Sequence, residues 1–148
     1  MLLSVKNLST EFPVKKGIVR AVEDVSFDVD QGEILAIVGE SGSGKSVTAR
    51  SIIKLLPETA TTSGAVYLSK RDGSDSLDVL SLSGEQLREV RGSEAAMVFQ
   101  EPTSVLNPVY TIGNQIREVI LLHTGKSKKE ANERAKELLT LVGINEPE

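Results

Sequence analysis

The chain has 148 residues, a formal net charge of −4 and no cysteine. Hydrophobic residues make up 39% and charged residues 26% of the sequence, a composition typical of a globular domain and not of a disordered chain. The absence of cysteine excludes disulfides, thiol catalysis and cysteine-held metals. The acidic balance without a basic block argues against a nucleic-acid partner.

Two features bear on location. No apolar run approaches the roughly 18 residues of a membrane span. The first stretch, "MLLSVKNLSTEF", lacks the charged region, long apolar core and cleavage site of a signal peptide. We therefore expect a cytosolic chain whose membrane association, if any, passes through a partner.

The N-terminal part predicts a small antiparallel sheet. Two alternating stretches, "LLSVKNLSTEF" and "VRAVEDVSFDVD", flank the turn signal "PVKKG", and Gly32 closes this part. From Glu33 to Gly39 the apolar residues are continuous, which predicts a strand buried on both faces of a parallel sheet. The next stretch, "SVTARSIIKLL", has helical spacing and ends at Pro57, so a helix packing on that strand is expected.

The middle of the chain predicts shorter elements. The stretch "GAVYLS" is a strand candidate, residues 70–78 read as a polar surface loop, and "SGEQLREVRG" reads as a short helix with a serine cap. A second buried strand is predicted from Ala95 to Gln100, followed by the proline-bounded connector "EPTSVLNP".

The tail predicts helices. The sequence "SKKE" from Ser127 to Glu130 fits a capping box, and Gly143 lies where a glycine commonly ends a helix. One face of the predicted helix carries Ala131, Ala135, Leu138, Leu139 and Val142. A strand, a loop and a helix followed by another buried strand indicate an α/β fold.

One motif carries the chemistry. Residues 39–46 read "GESGSGKS" and match G-x-x-x-x-G-K-[ST]. Its glycines allow successive N–H groups to point into one concavity that surrounds a phosphate, and the following helix directs its positive end there. Lys45 adds a charge for the β- and γ-phosphates, and the Ser46 hydroxyl is a ligand for Mg²⁺. The motif predicts a P-loop nucleotide site.

The loop alone does not separate a GTPase, a kinase and a transport ATPase. The alternative interpretation, a glycine-rich turn with an incidental lysine, is disfavoured by the predicted strand before the loop and the predicted helix after it.

Two longer stretches narrow the choice: "AVEDVSFDVDQGEILAIVGESGSGKSVTA" and "RGSEAAMVFQEPTSVLNPVYTIGNQI". Through them the chain, from Leu2 to about Val142, resembles the ATP-binding subunit of ABC transporters, above all the oligopeptide/dipeptide (nickel) importer group. That group typically reads "FQ-[DE]-P-M-T-S-L-N-P", and this chain keeps the length but departs at residues 103–105. The resemblance implies a partial P-loop NTPase fold of the ABC type, with an antiparallel β part, parallel core strands and the start of a helical subdomain.

The resemblance also implies roles for residues. Gln100 ends the second predicted strand, where the family places a glutamine that approaches Mg²⁺ and the attacking water and senses the transmembrane partner. Phe12 lies where the family places an aromatic that stacks on adenine, although packing within a hairpin explains it as well. Lys45 and Gln100 are implied in catalysis, and Ser46 and Gln100 in metal binding. The residues implied at the nucleotide are Phe12, Gly39, Glu40, Ser41, Gly42, Ser43, Gly44, Lys45, Ser46 and Val47.

A second short motif resembles the family's signature but is a decoy. The signature reads "LSGGQ", and this chain has "LSGEQ" from Leu82 to Gln86. It lies before Gln100, whereas the family's signature lies well after it, and Glu85 would put a carboxylate where a partner's γ-phosphate docks. His123 likewise comes too early for the family's switch histidine and reads as a residue at a helix end.

The resemblance covers roughly the first half of a nucleotide-binding domain. The signature, the Walker B strand with its aspartate and catalytic glutamate, and the switch histidine are not in the sequence, so we expect a fragment that binds nucleotide with little turnover. The expected parts are residues 1–32 as the antiparallel β part, 33–100 as the P-loop core, and 101–148 as the connector and the start of the helical subdomain.

The function that the resemblance implies is ATP binding, with Mg²⁺, in the energy-coupling subunit of an importer of peptides or nickel. Its partners would be transmembrane permease subunits, a second ATP-binding subunit and, indirectly, a solute-binding protein, at the cytoplasmic face of the membrane. Two alternatives remain open: an ABC or P-loop ATPase without a membrane partner, and a non-hydrolytic binding module that competes for partners.

Overall fold

A computed structural model describes residues 1–70, 76–101 and 106–144 of the chain. It contains two compact units, Met1–Glu94 and Ala95–Glu148. Residues 71–75 of the predicted surface loop and residues 102–105 of the predicted connector lie outside the described residues. None of the described helices is both long and apolar enough to cross a membrane.

The first unit is built on a four-stranded antiparallel sheet in the order β2-β1-β3-β4. The predicted N-terminal hairpin is confirmed, with Lys15 and Lys16 forming its turn. The strands are β1 (Leu3–Val14), β2 (Gly17–Val29), β3 (Thr61–Leu68) and β4 (Leu77–Asp78). β1 lies at the centre and pairs with β2 on one side and β3 on the other.

Side chains stabilise the irregular part of the β1–β2 pair, where the register shifts. Asn7 and Asp24 both adopt a positive φ, 49° in each case. The Asn7 N–H donates to Ser26 Oγ at 2.8 Å, and the Asp24 N–H donates to Ser9 Oγ at 2.9 Å. These hydroxyls accept from backbone donors that the ladder leaves unpaired at a bulge.

A helix packs on one face of this sheet. Helix α1 (Lys45–Ile52) contacts β1 and β2, and its buried residues, Thr48 and Ser51, are both small and polar. Ser51 Oγ lies 2.8 Å from Thr10 Oγ1 and also donates to the Val47 carbonyl at 2.7 Å. The hydrogen bond to the completely buried Thr10 ties the helix to the central strand.

The segment after β4 completes this unit. A short 3₁₀ turn (Val79–Ser81) leads into helix α2 (Gly84–Ser93), which confirms the predicted short helix. Ser83 is at the N-cap but makes no side-chain capping bond, so the predicted serine cap is absent. The buried apolar residues of this unit are Val5, Leu8, Val22, Ile53, Val66, Leu68, Val79, Leu82 and Val90.

Two predicted buried strands do not form. Residues 33–39 belong to no strand, and Ile34 and Val38 are 94% and 87% exposed. In Ala95–Gln100 only Ala95 makes an isolated bridge, and Val98 is 93% exposed. A continuous apolar run is suited to burial on both faces, but a strand also needs a neighbour for its N–H and C=O groups. The described sheet contains only β1 to β4, and neither run adds a strand to it.

Helix α1 is also shorter than predicted. It ends at Ile52 and not at Pro57, because Lys54 adopts a left-handed conformation with φ 52°. The Lys54 N–H donates to the Ser51 carbonyl at 3.0 Å, and the Leu55 N–H donates to the Arg50 carbonyl at 2.7 Å. This pair of bonds is the pattern of a Schellman C-terminus, usually formed by glycine.

The second unit contains two helices that pack together, α3 (Ile112–Thr124) and α4 (Lys128–Leu141). Ile120, Ala131 and Ala135 form their buried core, and Leu138 packs against it. Val142, which was predicted on the same face, is 72% exposed because it is the C-cap residue and lies past the last turn. His123 lies in the last turn of α3, as predicted.

Both ends of α4 are fixed by its own sequence. The capping box is confirmed: the Ser127 N–H donates to Glu130 Oε2 at 2.8 Å, and the Glu130 N–H donates to Ser127 Oγ at 3.4 Å. At the other end Gly143 has φ 87°, and the N–H groups of Gly143 and Ile144 donate to Thr140 and Leu139. The predicted terminal glycine is thus confirmed as part of a Schellman motif.

The capping box predicts a pH dependence. Hydrogen bonds from the Ser127 hydroxyl and backbone hold the pKa of the Glu130 carboxyl below its usual range. A lowered pKa in the folded state stabilises the helix above the unfolded pKa, and this contribution is lost as pH falls through the folded pKa. We therefore expect Glu130→Ala to reduce, at neutral pH, the hydrogen-exchange protection of the Ala131 amide, which donates to the Ser127 carbonyl at 2.9 Å. The difference in protection between the variant and the parent should shrink in acid.

Glu133→Ala is the matched control, because Glu133 is an exposed glutamate of the same helix outside the capping box. An equal loss of protection in both variants, or a Glu130→Ala effect that does not change with pH, would contradict the prediction.

Candidate functional site

The glycine-rich loop leads directly into α1. Gly44 is the N-cap of the helix with φ 91°, and its carbonyl accepts from the Thr48 N–H at 2.8 Å. Gly42 also has a positive φ, 82°. Both glycines therefore occupy the left-handed region that other residues rarely adopt, and the predicted conformational reason for glycine in this loop is confirmed at these two positions.

Gly44 lies directly against β2. A Cβ atom at this position would be 2.3 Å from the Ala21 carbonyl oxygen, well inside a van der Waals contact. The start of α1 therefore touches the backbone of the second strand, a contact that only a residue without a side chain permits. β2 fixes the place where the helix begins.

Lys45 folds back over the loop. Its Nζ donates to the carbonyl oxygens of Gly39 at 2.8 Å and Glu40 at 2.7 Å, and lies 3.5 Å from Ser43 Oγ. These contacts join the start of the loop, at Gly39 and Glu40, to its end at Lys45. They hold the ammonium group next to the N-terminus of α1, whose first turn contains no acidic residue.

The arrangement gathers donors and positive charge. The first N–H groups of an α-helix have no partner within the helix, and the helix dipole adds partial positive charge at the same end. Ser46 is exposed, and Val47 is half-buried within the first turn. With the Lys45 ammonium alongside, these groups can surround a phosphate chain.

A divalent cation would find few protein ligands here. Among residues 1–70, 76–101 and 106–144, no group of three or more His, Asp or Glu side chains is placed to hold a metal. The Ser46 hydroxyl is the one expected ligand in the loop. Such a set fits Mg²⁺, which keeps several waters and is commonly completed by phosphate oxygens.

Phe12 and Gln100 lie in different units. Phe12 is a half-buried residue of β1 that pairs with Val19 of β2 close to the turn of the hairpin. Gln100 belongs to the second unit and is exposed. Their roles remain predictions from the resemblance.

The decoy motif lies at the start of α2. Leu82 is buried, and Gly84 and Glu85 begin the helix. This is the ordinary short helix expected for "LSGEQ".

The sequence did not predict the two contacts that hold the loop and α1 on the hairpin, Gly44 with Ala21 and Ser51 with Thr10. Ala21 and Thr10 carry no signal, because an alanine in a strand and a threonine in an alternating stretch are ordinary residues. The only available hint was the pair Thr48 and Ser51, polar residues three apart on the side of the helix where apolar ones were expected.

A glycine-rich loop that opens a helix, with a lysine at the first helical position and a serine after it, is characteristic of P-loop nucleotide-binding proteins. The family model for ABC transporters matches residues 22–148 of this chain. The chain belongs to this family, as the resemblance predicted.

Curated relatives cover the chain almost completely. The probable peptide ABC transporter ATP-binding protein y4tR of Sinorhizobium fredii is 48% identical, over 100% of this chain and 43% of its own length. The dipeptide transport ATP-binding protein DppD of Bacillus subtilis is 43% identical, over 99% of this chain and 42% of its own length. The peptidoglycan transport ATP-binding protein YejF of Agrobacterium fabrum is 49% identical, over 99% and 26%. The chain thus spans less than half of these relatives.

Solved structures support the fold. A dimeric post-hydrolysis state of the ATP-binding cassette MJ0796 bound to ADP and Pi matches with a TM-score of 0.78 and 26% identity, covering 98% of this chain and 59% of that one. A dimeric structure of MJ0796, described as a bacterial ABC transporter cassette, matches with a TM-score of 0.77 and 25% identity, with the same coverage. The predicted ABC-type P-loop fold class is confirmed.

The two left-handed glycines give a matched test of the loop. Gly42→Ala meets nothing within 4 Å, so it should cost only the left-handed strain of about 1–2 kcal/mol. Gly44→Ala adds the collision with Ala21 and should lower stability further and displace the start of α1 from β2. Urea unfolding of both variants measures the difference. Equal destabilisation would show that the Gly44–Ala21 contact does not fix the helix.

Proposed function

We propose that this chain binds ATP as part of the energy-coupling subunit of an ABC importer, with peptides as the transported class. The observation that carries the proposal is the loop of residues 39–46. Lys45 Nζ is held 2.8 Å and 2.7 Å from the Gly39 and Glu40 carbonyls at the N-terminus of α1. The names of the relatives, which include peptide and dipeptide transport ATP-binding proteins, support the substrate class.

Different residues of the loop bind different parts of the nucleotide and its Mg²⁺. The N–H groups from Gly42 to Val47 and the dipole of α1 bind phosphate oxygens, while Glu40, Ser41 and Ser43 line the rest of the loop. Lys45 exchanges its contacts with the loop carbonyls for the β- and γ-phosphates. Ser46 ligates Mg²⁺, which neutralises phosphate charge when it is bound.

Two residues outside the loop complete the proposed site. Phe12 offers its ring to adenine from the hairpin of β1 and β2. Gln100 orients the attacking water, contributes to the Mg²⁺ site and links the nucleotide to the transmembrane partner. Turnover and transport belong to the whole assembly, for which we propose permease subunits, a second ATP-binding subunit, an indirect contribution of a solute-binding protein, and a position at the cytoplasmic face of the membrane.

The first test removes the loop's cation. Lys45→Ala should weaken ATP binding by roughly ten- to a hundredfold, because a hydrogen bond to a charged group contributes about 1.5–3 kcal/mol. Isothermal titration calorimetry with ATP and Mg²⁺ measures the dissociation constant, with the exposed Lys136→Ala of α4 as the control. An ATP affinity that Lys45→Ala leaves unchanged would exclude this loop as the phosphate site.

The second test separates the base from the phosphates. Phe12→Leu removes the aromatic face and should weaken ATP binding by about 1–3 kcal/mol, the range for base–aromatic stacking, whereas Phe12→Tyr should retain affinity. Binding of inorganic triphosphate should be the same in all three proteins. If Phe12→Leu weakens triphosphate as much as ATP, Phe12 supports the hairpin and does not contact the base.

A further inference from the structure

The C-terminal end of α1 is fastened by two cationic side chains. Lys54, whose φ is 52°, turns the chain out of the helix. Its Nζ donates to the carbonyl oxygens of Leu80 at 2.9 Å and Leu82 at 2.7 Å. A left-handed conformation is disfavoured for a residue with a Cβ. These two charge-assisted hydrogen bonds favour it here.

Arg91 makes the reciprocal contact. Its Nε donates to the Ile53 carbonyl at 2.9 Å, and its guanidinium also donates to the Lys54 carbonyl. The backbone leaves the helical conformation at Arg91, where ψ is 112°, and at Gly92, where φ is 102°. The Arg91 side chain is thereby presented at the end of α1 by a break in α2.

These contacts form one unit, the Lys54–Arg91 clamp, in which two cations bind four backbone carbonyls: Ile53, Lys54, Leu80 and Leu82. The carbonyls of Ile53 and Lys54 follow the last turn of α1, where the helix dipole is negative and a cation is favoured. Lys54 thus binds the backbone that precedes α2, and Arg91 binds the backbone that follows α1.

The clamp lies at the opposite end of the helix that presents the phosphate loop. Because α1 has 8 residues, the two ends are separated by about 12 Å. The helix buries only Thr48 and Ser51, so no large apolar side chain anchors its middle. Its middle is tied to β1 by the hydrogen bond between Ser51 and Thr10, and its two ends are fixed by the contact of Gly44 with Ala21 and, beside the buried C-cap Ile53, by the clamp.

We propose that Lys54 and Arg91 are positioning residues for nucleotide binding: the clamp sets the direction of α1, and through it the aim of the N–H groups and of Lys45 at the phosphates. This inference rests on the proposed nucleotide function of the loop. The backbone at Leu80 and Leu82 and the side chain of Arg91 thereby influence nucleotide binding through α1.

The test compares substitutions that remove donors with substitutions that keep them. Arg91→Met keeps the length of the side chain and loses the guanidinium, and Arg91→Lys keeps the charge but not the fork. Lys54→Gly keeps the left-handed turn, without strain, and removes the whole side chain together with its ammonium. Arg88→Met is the matched control, because Arg88 is an exposed arginine of the same helix.

Two readouts are measured on the intact protein under conditions in which every variant is folded. Calorimetry with ATP and Mg²⁺ should show binding about three- to tenfold weaker for Arg91→Met and Lys54→Gly, because a smaller fraction of molecules has the loop correctly aimed. Arg91→Lys should fall between Arg91→Met and the parent. Without nucleotide, the NMR amide signals of Gly42, Gly44 and Ser46 should move in these variants and not in Arg88→Met.

The outcomes separate positioning from stability and from the function itself. A lower melting temperature with unchanged ATP affinity and unchanged loop signals would overturn the proposal, since the clamp would then only stabilise the fold. If the parent protein does not bind ATP, the proposed function fails. The amide signals of the loop still decide whether the clamp positions it.

Discussion

The contact between α1 and the β1–β2 hairpin is the constraint on which the site depends. The Gly44 N-cap lies against the Ala21 carbonyl, and the Ser51 hydroxyl meets that of Thr10 on the central strand. The first is a close approach of two backbones and the second is a buried hydrogen bond, and both act on a helix whose buried residues are only Thr48 and Ser51. These two contacts hold the loop and α1 on the hairpin with little contribution from apolar burial. A hydrogen bond and a close backbone approach fix the direction of the helix, whereas apolar burial is non-directional.

This constraint also explains how the hairpin contributes to a site. β2 supplies the backbone against which the phosphate loop starts, and β1 carries Phe12 opposite Val19. The proposed base contact and the phosphate loop are therefore attached to one pair of strands. The register of that pair is irregular around Asn7 and Asp24, where bulges increase the local twist of the strands.

Local patterns predicted the elements that local interactions determine. The hairpin, the short helix after residue 83, the capping box at Ser127 and the terminal Gly143 follow from turn chemistry and capping that act within a few residues. The glycines of the loop were predicted for the same reason, because φ above zero excludes most other residues.

The predictions that were wrong depend on residues far away in the sequence from the element concerned. The apolar run of residues 33–39 showed suitability for burial, but periodicity contains no information on which strands cover it, and the described strands do not. The end of α1 at Ile52 depends on Lys54, whose left-handed turn is supported by carbonyls 26 and 28 residues away. No local rule assigns such a turn to lysine, so the clamp became visible only in three dimensions.

The strand order has a consequence for the time at which the loop acquires its shape during synthesis. β1 and β2 are joined by a two-residue turn and can pair as soon as Val29 is available, whereas β3 joins β1 through Leu3 and Leu68. In the sequence, the loop and α1 come after the hairpin and before β3. Pairs of low sequence separation close first, and distant ones follow. The hairpin, whose paired residues are close in sequence, can therefore form before β3 joins the sheet, and the contacts of Arg91 with the end of α1 come after both.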